Sequence, residues 1–207
     1  MSAYTAFGLT GGIASGKTSV AGLFRSMGAY VADADEISRH ALDRGTDCYE
    51  KTVEAFGRGI LCADGAVDRK KVASIVFSNS KAMAMLNGII HPYVRETIRA
   101  NSEKAFAEAS DRLIVWDVPL LFETGYEKEV VKTVVVTARQ DIRVQRIVDR
   151  DGSTRAAALR RIRSQMPDRE KVRRADIVIR NNGSLEELEQ RTREVFDELL
   201  ETLDRRP

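Results

Sequence analysis

Eight residues near the start of this 207-residue chain constrain it most. Gly11-Gly12-Ile13-Ala14-Ser15-Gly16-Lys17-Thr18 has the spacing G-x-x-x-x-G-K-[ST] of a phosphate-binding loop, the Walker A or P-loop motif. Glycine at positions 11 and 16 admits backbone turns that a Cβ obstructs, so successive N–H groups can converge on a polyphosphate. Lys17 brings a point charge to the β- and γ-phosphates, and Thr18 offers a hydroxyl to Mg²⁺. Residues 5–10 are short and mostly apolar and read as a buried strand. Residues 19–25 carry Val20, Leu23 and Phe24 at helical spacing. Strand, glycine loop, helix is the order the chemistry requires, because the helix N-terminus adds its own positive potential. The alternative, a glycine-rich turn that binds nothing, is disfavoured by these flanks.

Apolar residues make up 43% of the chain and charged residues 31%, ordinary values for a globular protein that buries one large core with small inserts. No apolar run approaches the length of a membrane span, and no secretory signal is read at the start. A cytoplasmic enzyme with no membrane partner is expected. Cys48 and Cys62 are too few for a disulfide framework and read as reduced thiols. His40 and His91 are the only histidines, and no Cys/His cluster points to zinc. The net charge of +2 is unevenly spread: residues 139–174 hold twelve Lys/Arg against five Asp/Glu, an excess of +7, which leaves −5 for the remainder. Such a concentration points to a polyanionic partner, a nucleotide or a nucleic acid.

Along the chain, residues 29–32 read as a second strand ending at Asp33-Ala34-Asp35. Residues 36–109 look almost wholly helical, with Asp68 capping one helix, Ser80 opening another through Ile90, and Pro92 starting a third. Strand character returns at 113–116, closed by Asp117, and at 130–136. These β-branched runs suit a parallel sheet buried on both faces. A helix over 139–150, a basic helical hairpin to about Ala175, a last strand at 177–179, and a closing helix begun by Ser184 with Glu187 as its capping box complete the pattern. The expectation is an α/β fold: a P-loop NTPase-like core with a five-stranded parallel sheet, a helical substrate-binding insert and a helical lid. Residues 1–35, 110–138 and 175–207 would form the core domain, 36–109 the insert and 139–174 the basic lid.

Asp33 ends a strand on the sheet edge where ligands of such folds bind. A carboxylate there can take the proton of an attacking hydroxyl or help hold Mg²⁺; Asp33 or Asp35 can equally cap the next helix. Asp117 closes an apolar strand in the manner of a Walker B acid, or is a solvated strand end. Arg139, Arg143, Arg146 and Arg150 recur at i, i+4, i+7 and i+11 and fall within about 60° of arc on a helix. Like charges so spaced repel by about 0.2–0.5 kcal/mol per pair, so the row is either neutralised by phosphate or is a solvated face. Arginine suits phosphate, donating bidentately and staying charged.

With these residues in view, the sequence resembles the dephospho-CoA kinase family. Gly8-Leu9-Thr10 leading into the glycine loop, Asp33-Ala34-Asp35, His91-Pro92, Pro119-Leu120-Leu121-Phe122-Glu123, Arg146 with Arg150-Asp151, Gln165, and Asn181-Asn182-Gly183 carry the likeness in order. The resemblance implies transfer of the γ-phosphate of ATP, with Mg²⁺, to the ribose 3′-hydroxyl of dephospho-CoA. It implies Asp33 as the base receiving the hydroxyl proton, and Lys17 and Arg146 as the groups neutralising the transferring phosphoryl. It also implies Arg150 and Asn181 beside the nucleotide that Gly11 to Thr18 cradle, and His91 shaping the substrate domain. Thr18 and Asp117 would serve the metal, although the acid at 117 is not uniform in the family. One departure is Ala14, where the family usually has glycine; a methyl group is accommodated there if φ is negative. Two other readings compete. One is a P-loop kinase for another nucleotide or small hydroxylated metabolite. The other is a nucleotide-gated RNA-binding regulator, against which stand the near-neutral total charge and the lack of aromatic residues in the basic segment. No nucleic-acid partner is expected; the oligomeric state is not given by the sequence, with a monomer favoured.

Overall fold

The computed structural model describes residues 4–109 and 113–204. Residues 1–3, 110–112 and 205–207 of the expected core lie outside the described residues. The chain divides into two compact units, one of residues 1–32 with 102–207 and one of residues 33–101.

The first unit is built on a sheet of five strands, β1 (Ala6–Gly11), β2 (Tyr30–Asp33), β3 (Ile114–Asp117), β4 (Thr133–Thr137) and β5 (Ile177–Arg180), in the order β2-β3-β1-β4-β5. β1 pairs in parallel with β3, Leu9 opposite Asp117, and with β4, Leu9 opposite Val134. β4 pairs in parallel with β5, Val136 opposite Ile179. Every residue of β1 is buried, as a central parallel strand covered on both faces must be. On one face α1 (Lys17–Ser26) and α9 (Leu185–Asp204) pack their apolar stripes over Phe7, Leu9, Val134, Val136, Ile177 and Ile179. The rings of Phe24 and Phe196 lie 5.9 Å apart at the centre of that layer. Elsewhere in this unit Trp116 donates its Nε1–H to Ser102 Oγ at 2.9 Å and meets the edge of Tyr126. Chain order places β2 and β3 on one side of β1 and β4 and β5 on the other, the reversal that opens a crevice at the carboxyl ends of the strands.

Short-range signals materialise as expected. Asp68 caps α4 (Arg69–Ser78) by accepting from the N–H groups of Lys70 and Lys71. Ser184 and Glu187 exchange reciprocal bonds at the head of α9. β4 is shorter than the apolar run that announces it: Val131 lies outside the named strand, its N–H donating to Ala6 O at 2.9 Å.

Two expected helices are one. α5 (Ser80–Glu108) runs unbroken through Pro92, and Asn79 rather than Ser80 accepts the first-turn N–H groups, those of Lys81 and Ala82. An internal proline costs a helix about 3 kcal/mol. Burial of Leu86, Val94 and Ile98 to either side of it offsets that cost.

The second unit comprises α2 (Ala34–His40), α3 (Asp47–Phe56), α4 and the greater part of α5, with a single antiparallel bridge, Leu61 to Val67, between α3 and α4. Its apolar residues form separate clusters. Ile60, Val72, Val76 and Leu86 form one cluster, and Ala41, Leu42 and Cys48 another. A cavity of about 280 Å³ opens along α2, α4 and α5, lined by Leu42, Val72, Val76, Met83, Leu86 and Ile90, with Arg39 and Arg69 at its polar end. Beside it the Phe77 ring is 81% exposed.

Candidate active site

The glycine loop leaves the carboxyl end of β1 and enters α1 at Lys17. Gly11 is needed for close approach: a Cβ there would lie 2.5 Å from the carbonyl oxygen of Val136 in β4. Gly16 is needed for its backbone, which caps α1 at φ 99°, and a Cβ there would also collide with Asn181 Nδ2. Because the cap is glycine, no side chain satisfies the first-turn N–H groups of α1, and that end of the helix is an anion site in waiting. Ser15 Oγ is buried and has no hydrogen-bond partner among the described residues.

At Ala14 the condition for an unstrained methyl group is not met. Its φ is +59°, so the methyl group sits in the left-handed region, and it is the one described non-glycine residue with positive φ. The loop keeps the conformation that glycine favours, and the Cβ is carried at a conformational cost of about 1–2 kcal/mol.

Lys17 and Asp117 are joined in an ion pair, the carboxylate almost fully buried and the ammonium 15% exposed. Asp117 is therefore not a solvated strand end. Thr10 Oγ1, one residue before the loop, donates to Pro119 O at 3.0 Å, which ties the segment after β3 to the same place. Thr18 is exposed on the first turn of α1. A hydroxyl and a carboxylate are hard oxygen donors of the kind Mg²⁺ takes, with phosphate and water filling its remaining positions.

The arginine row does not form one surface. α6 (Gln140–Asp151) buries Val144 and Ile147 and also Arg143, which is 2% exposed. Arg143 is neutralised by Asp168, at the start of α8 (Asp168–Arg174), and donates from Nε to Ile13 O at 2.8 Å. Arg146 spans the loop and the turn after β5. It donates to Ala14 O at 3.3 Å and to Asn181 Oδ1 at 3.2 Å. Arg139 is paired with Asp141 and Arg150 with Asp151, both on the surface. The guanidiniums of Arg150 and of Arg161, on α7 (Arg155–Arg163), hold the Asp151 carboxyl well below the usual carboxylate range. Asn181 is buried and braces the loop, donating from Nδ2 to Ser15 O at 2.9 Å.

Asp33 closes β2 and caps α2: Oδ1 accepts from Asp35 N at 2.9 Å and Glu36 N at 3.1 Å. Among the described residues its Oδ2 makes no hydrogen bond. His91 lies within α5, where burial first and the charge of Arg95 second push its imidazole below the ordinary histidine value. Sequence reasoning missed Lys171. Its ammonium is 1% exposed inside a segment read as a basic surface, where it pairs with Glu123 at 2.9 Å and donates to Pro119 O at 3.2 Å. Gln165, one of the residues that carry the family resemblance, accepts on Oε1 from Ile13 N at 2.8 Å.

A parallel sheet whose central strand empties into a glycine loop, with a lysine at the head of the next helix and arginine-bearing helices resting on the loop, defines a P-loop kinase fold. The model of the dephospho-CoA kinase family matches residues 5–187, and the chain belongs to that family. The dephospho-CoA kinase of Geobacillus kaustophilus strain HTA426 is 46% identical over 180 residues, 87% of this chain and 89% of the relative. Among solved structures, TT1252 from Thermus thermophilus superposes with a TM-score of 0.78 at 35% identity, covering 95% of this chain and 98% of that one. The dephospho-CoA kinase from Campylobacter jejuni does so with a TM-score of 0.71 at 29% identity and the same coverage. No described helix is long and apolar enough to cross a membrane.

Proposed function

We propose that this chain transfers the γ-phosphate of ATP to the ribose 3′-hydroxyl of dephospho-CoA, giving coenzyme A. The glycine loop with Lys17 at the head of α1, in a chain that follows the family model over residues 5–187, carries this reading. Phosphoryl transfer asks for positioning and charge stabilisation more than for covalent chemistry. The N–H groups at the head of α1, which no side chain caps, hold the polyphosphate. Lys17 turns its ammonium from Asp117 toward the phosphates, and Arg146 spreads its guanidinium charge onto the transferring group. Arg150 adds a second contact to nucleotide phosphate, and Asn181 acts by keeping the loop in shape. Asp33 receives the proton of the attacking hydroxyl on Oδ2 while Oδ1 stays on the α2 cap. Thr18 and Asp117 would hold Mg²⁺, which when bound would supply charge neutralisation at the phosphates.

The second unit offers its cavity to the pantetheine arm of the acceptor, whose alternating apolar and amide groups match a lining of Val72, Val76, Met83 and Leu86 ending in Arg39 and Arg69. His91 helps shape that unit. The free thiols Cys48 and Cys62 are in keeping with a cytoplasmic setting.

Purified protein with Mg·ATP and dephospho-CoA, the product identified by mass, tests the reading. One phosphoryl group gained on the ribose supports it. No gain, or gain only on another small hydroxylated metabolite, refutes it.

A further inference from the structure

Ile13 stands at the crest of the glycine loop, and both polar groups of its backbone are gripped by side chains that follow β4. Its N–H donates to Gln165 Oε1 at 2.8 Å, and its carbonyl accepts from Arg143 Nε at 2.8 Å. Arg143 is itself immobilised: it is 2% exposed and paired with Asp168, which also accepts from Thr137 Oγ1 at 2.9 Å. The next residue is Ala14 at φ 59°. Rotation about the Ala14 N–Cα bond is set by the peptide plane whose carbonyl Arg143 holds. The plane on the far side of Ile13 is the one whose N–H Gln165 holds. An alanine left to itself moves out of the left-handed region, and glycine does not need to, because it populates both signs of φ about equally. Ile13 and Ala14 also pack against the cluster of Val144, Ile147 and Ala158, so the grip is made within a built contact.

We propose that Gln165 is a positioning residue for phosphoryl transfer: through the Ile13 N–H it holds Ala14 in the left-handed conformation that keeps the loop open to phosphate. Gln165 acts through the loop backbone and touches no reacting atom. This inference rests on the reading of the loop as the nucleotide site.

The test is a double-mutant cycle of Gln165→Leu and Ala14→Gly, with kcat and KM measured separately for ATP and for dephospho-CoA. Gln165→Leu removes the acceptor without stranding a buried charge, and Gln165→Met repeats the cycle with a side chain of matched length. In the parent, Gln165→Leu is expected to lower kcat/KM for ATP about 10-fold and leave KM for dephospho-CoA unchanged. In the Ala14→Gly background the same substitution is expected to cost only about 2-fold, because glycine still spends about half its time in the required region. An equal loss in both backgrounds, no loss in either, or a matching rise in both KM values overturns the proposal. ATP affinity by calorimetry is measured across the same four proteins. A parent that binds ATP but does not phosphorylate dephospho-CoA refutes the functional reading, and the affinity cycle still decides this one.

Discussion

The ammonium of Lys17, at the head of α1, is ion-paired with the carboxylate of Asp117, at the end of β3, with the acid almost wholly buried. Leu9 and Asp117 are register partners across β1 and β3, so the pair is set by the sheet itself. The lysine is thus held against a countercharge that a polyphosphate would have to displace. Replacing one member leaves the other buried without that partner, which costs more than the pair contributes. Asp117→Asn is expected to lower stability by about 1–3 kcal/mol and to depress kcat. Lys17→Ala is expected to depress kcat as well, and not only to raise KM. Denaturant melts with steady-state kinetics check both; a Lys17→Ala protein with parental kcat removes the lysine from the mechanism.

Asp33 divides its two oxygens between a cap and an open position. Asparagine keeps an acceptor for the cap and loses the basic oxygen. Asp33→Asn should therefore melt within about 0.5 kcal/mol of the parent and bind ATP normally. It should lose about 10²-fold or more in turnover, the contribution of a general base. Asp33→Ala adds loss of the cap, about 1 kcal/mol. Near-parental turnover in Asp33→Asn refutes the assignment.

What could be read in advance depends on how far each residue reaches. The glycine loop, the Asp68 cap and the Ser184–Glu187 box are made by neighbours in sequence, and their spacing announces them. The break expected at Pro92 failed because burial on both sides of the proline outweighs a local rule. The arginine stripe failed differently. Periodicity places Arg143 and Arg146 near one another on α6. It says nothing of Asp168 or of the carbonyls of Ile13 and Ala14, more than a hundred residues earlier, which bury one arginine and draw the other across the loop. Lys171 was illegible for the same reason: its partners, Glu123 and Pro119, lie about fifty residues away. At Ala14 the side chain misleads, since alanine gives no sign of a left-handed backbone that tertiary contacts impose.

The two arginines of α6 should separate cleanly. Arg143 is buried and bound to Asp168, so Arg143→Met is expected to cost about 3 kcal/mol of stability, the penalty for leaving a largely buried charge unmatched. Arg146 is half-buried and holds only carbonyl and amide oxygens, so Arg146→Ala should cost about 1 kcal/mol. The order reverses in kinetics at a temperature where both variants are folded: Arg146→Ala should lower kcat about 10²-fold, as loss of a charge-stabilising donor does. If Arg146→Ala alters the melt alone, the arginine is structural and the neutralising role fails.

His91 gives a prediction in pH. Partial desolvation and Arg95 lower its folded value beneath the ordinary 6.5, so the unfolded chain binds more protons in the window between the two values. Stability linked to His91 is therefore fully present above pH 6.5 and is lost as pH falls through the folded value. Proton NMR of the imidazole should show a midpoint below 6.5. Arg95→Gln removes the repelling charge and should move the midpoint upward without restoring it fully, because burial, the larger cause, remains. A midpoint at or above 6.5 in the parent would show that neither partial desolvation nor Arg95 acts on the imidazole.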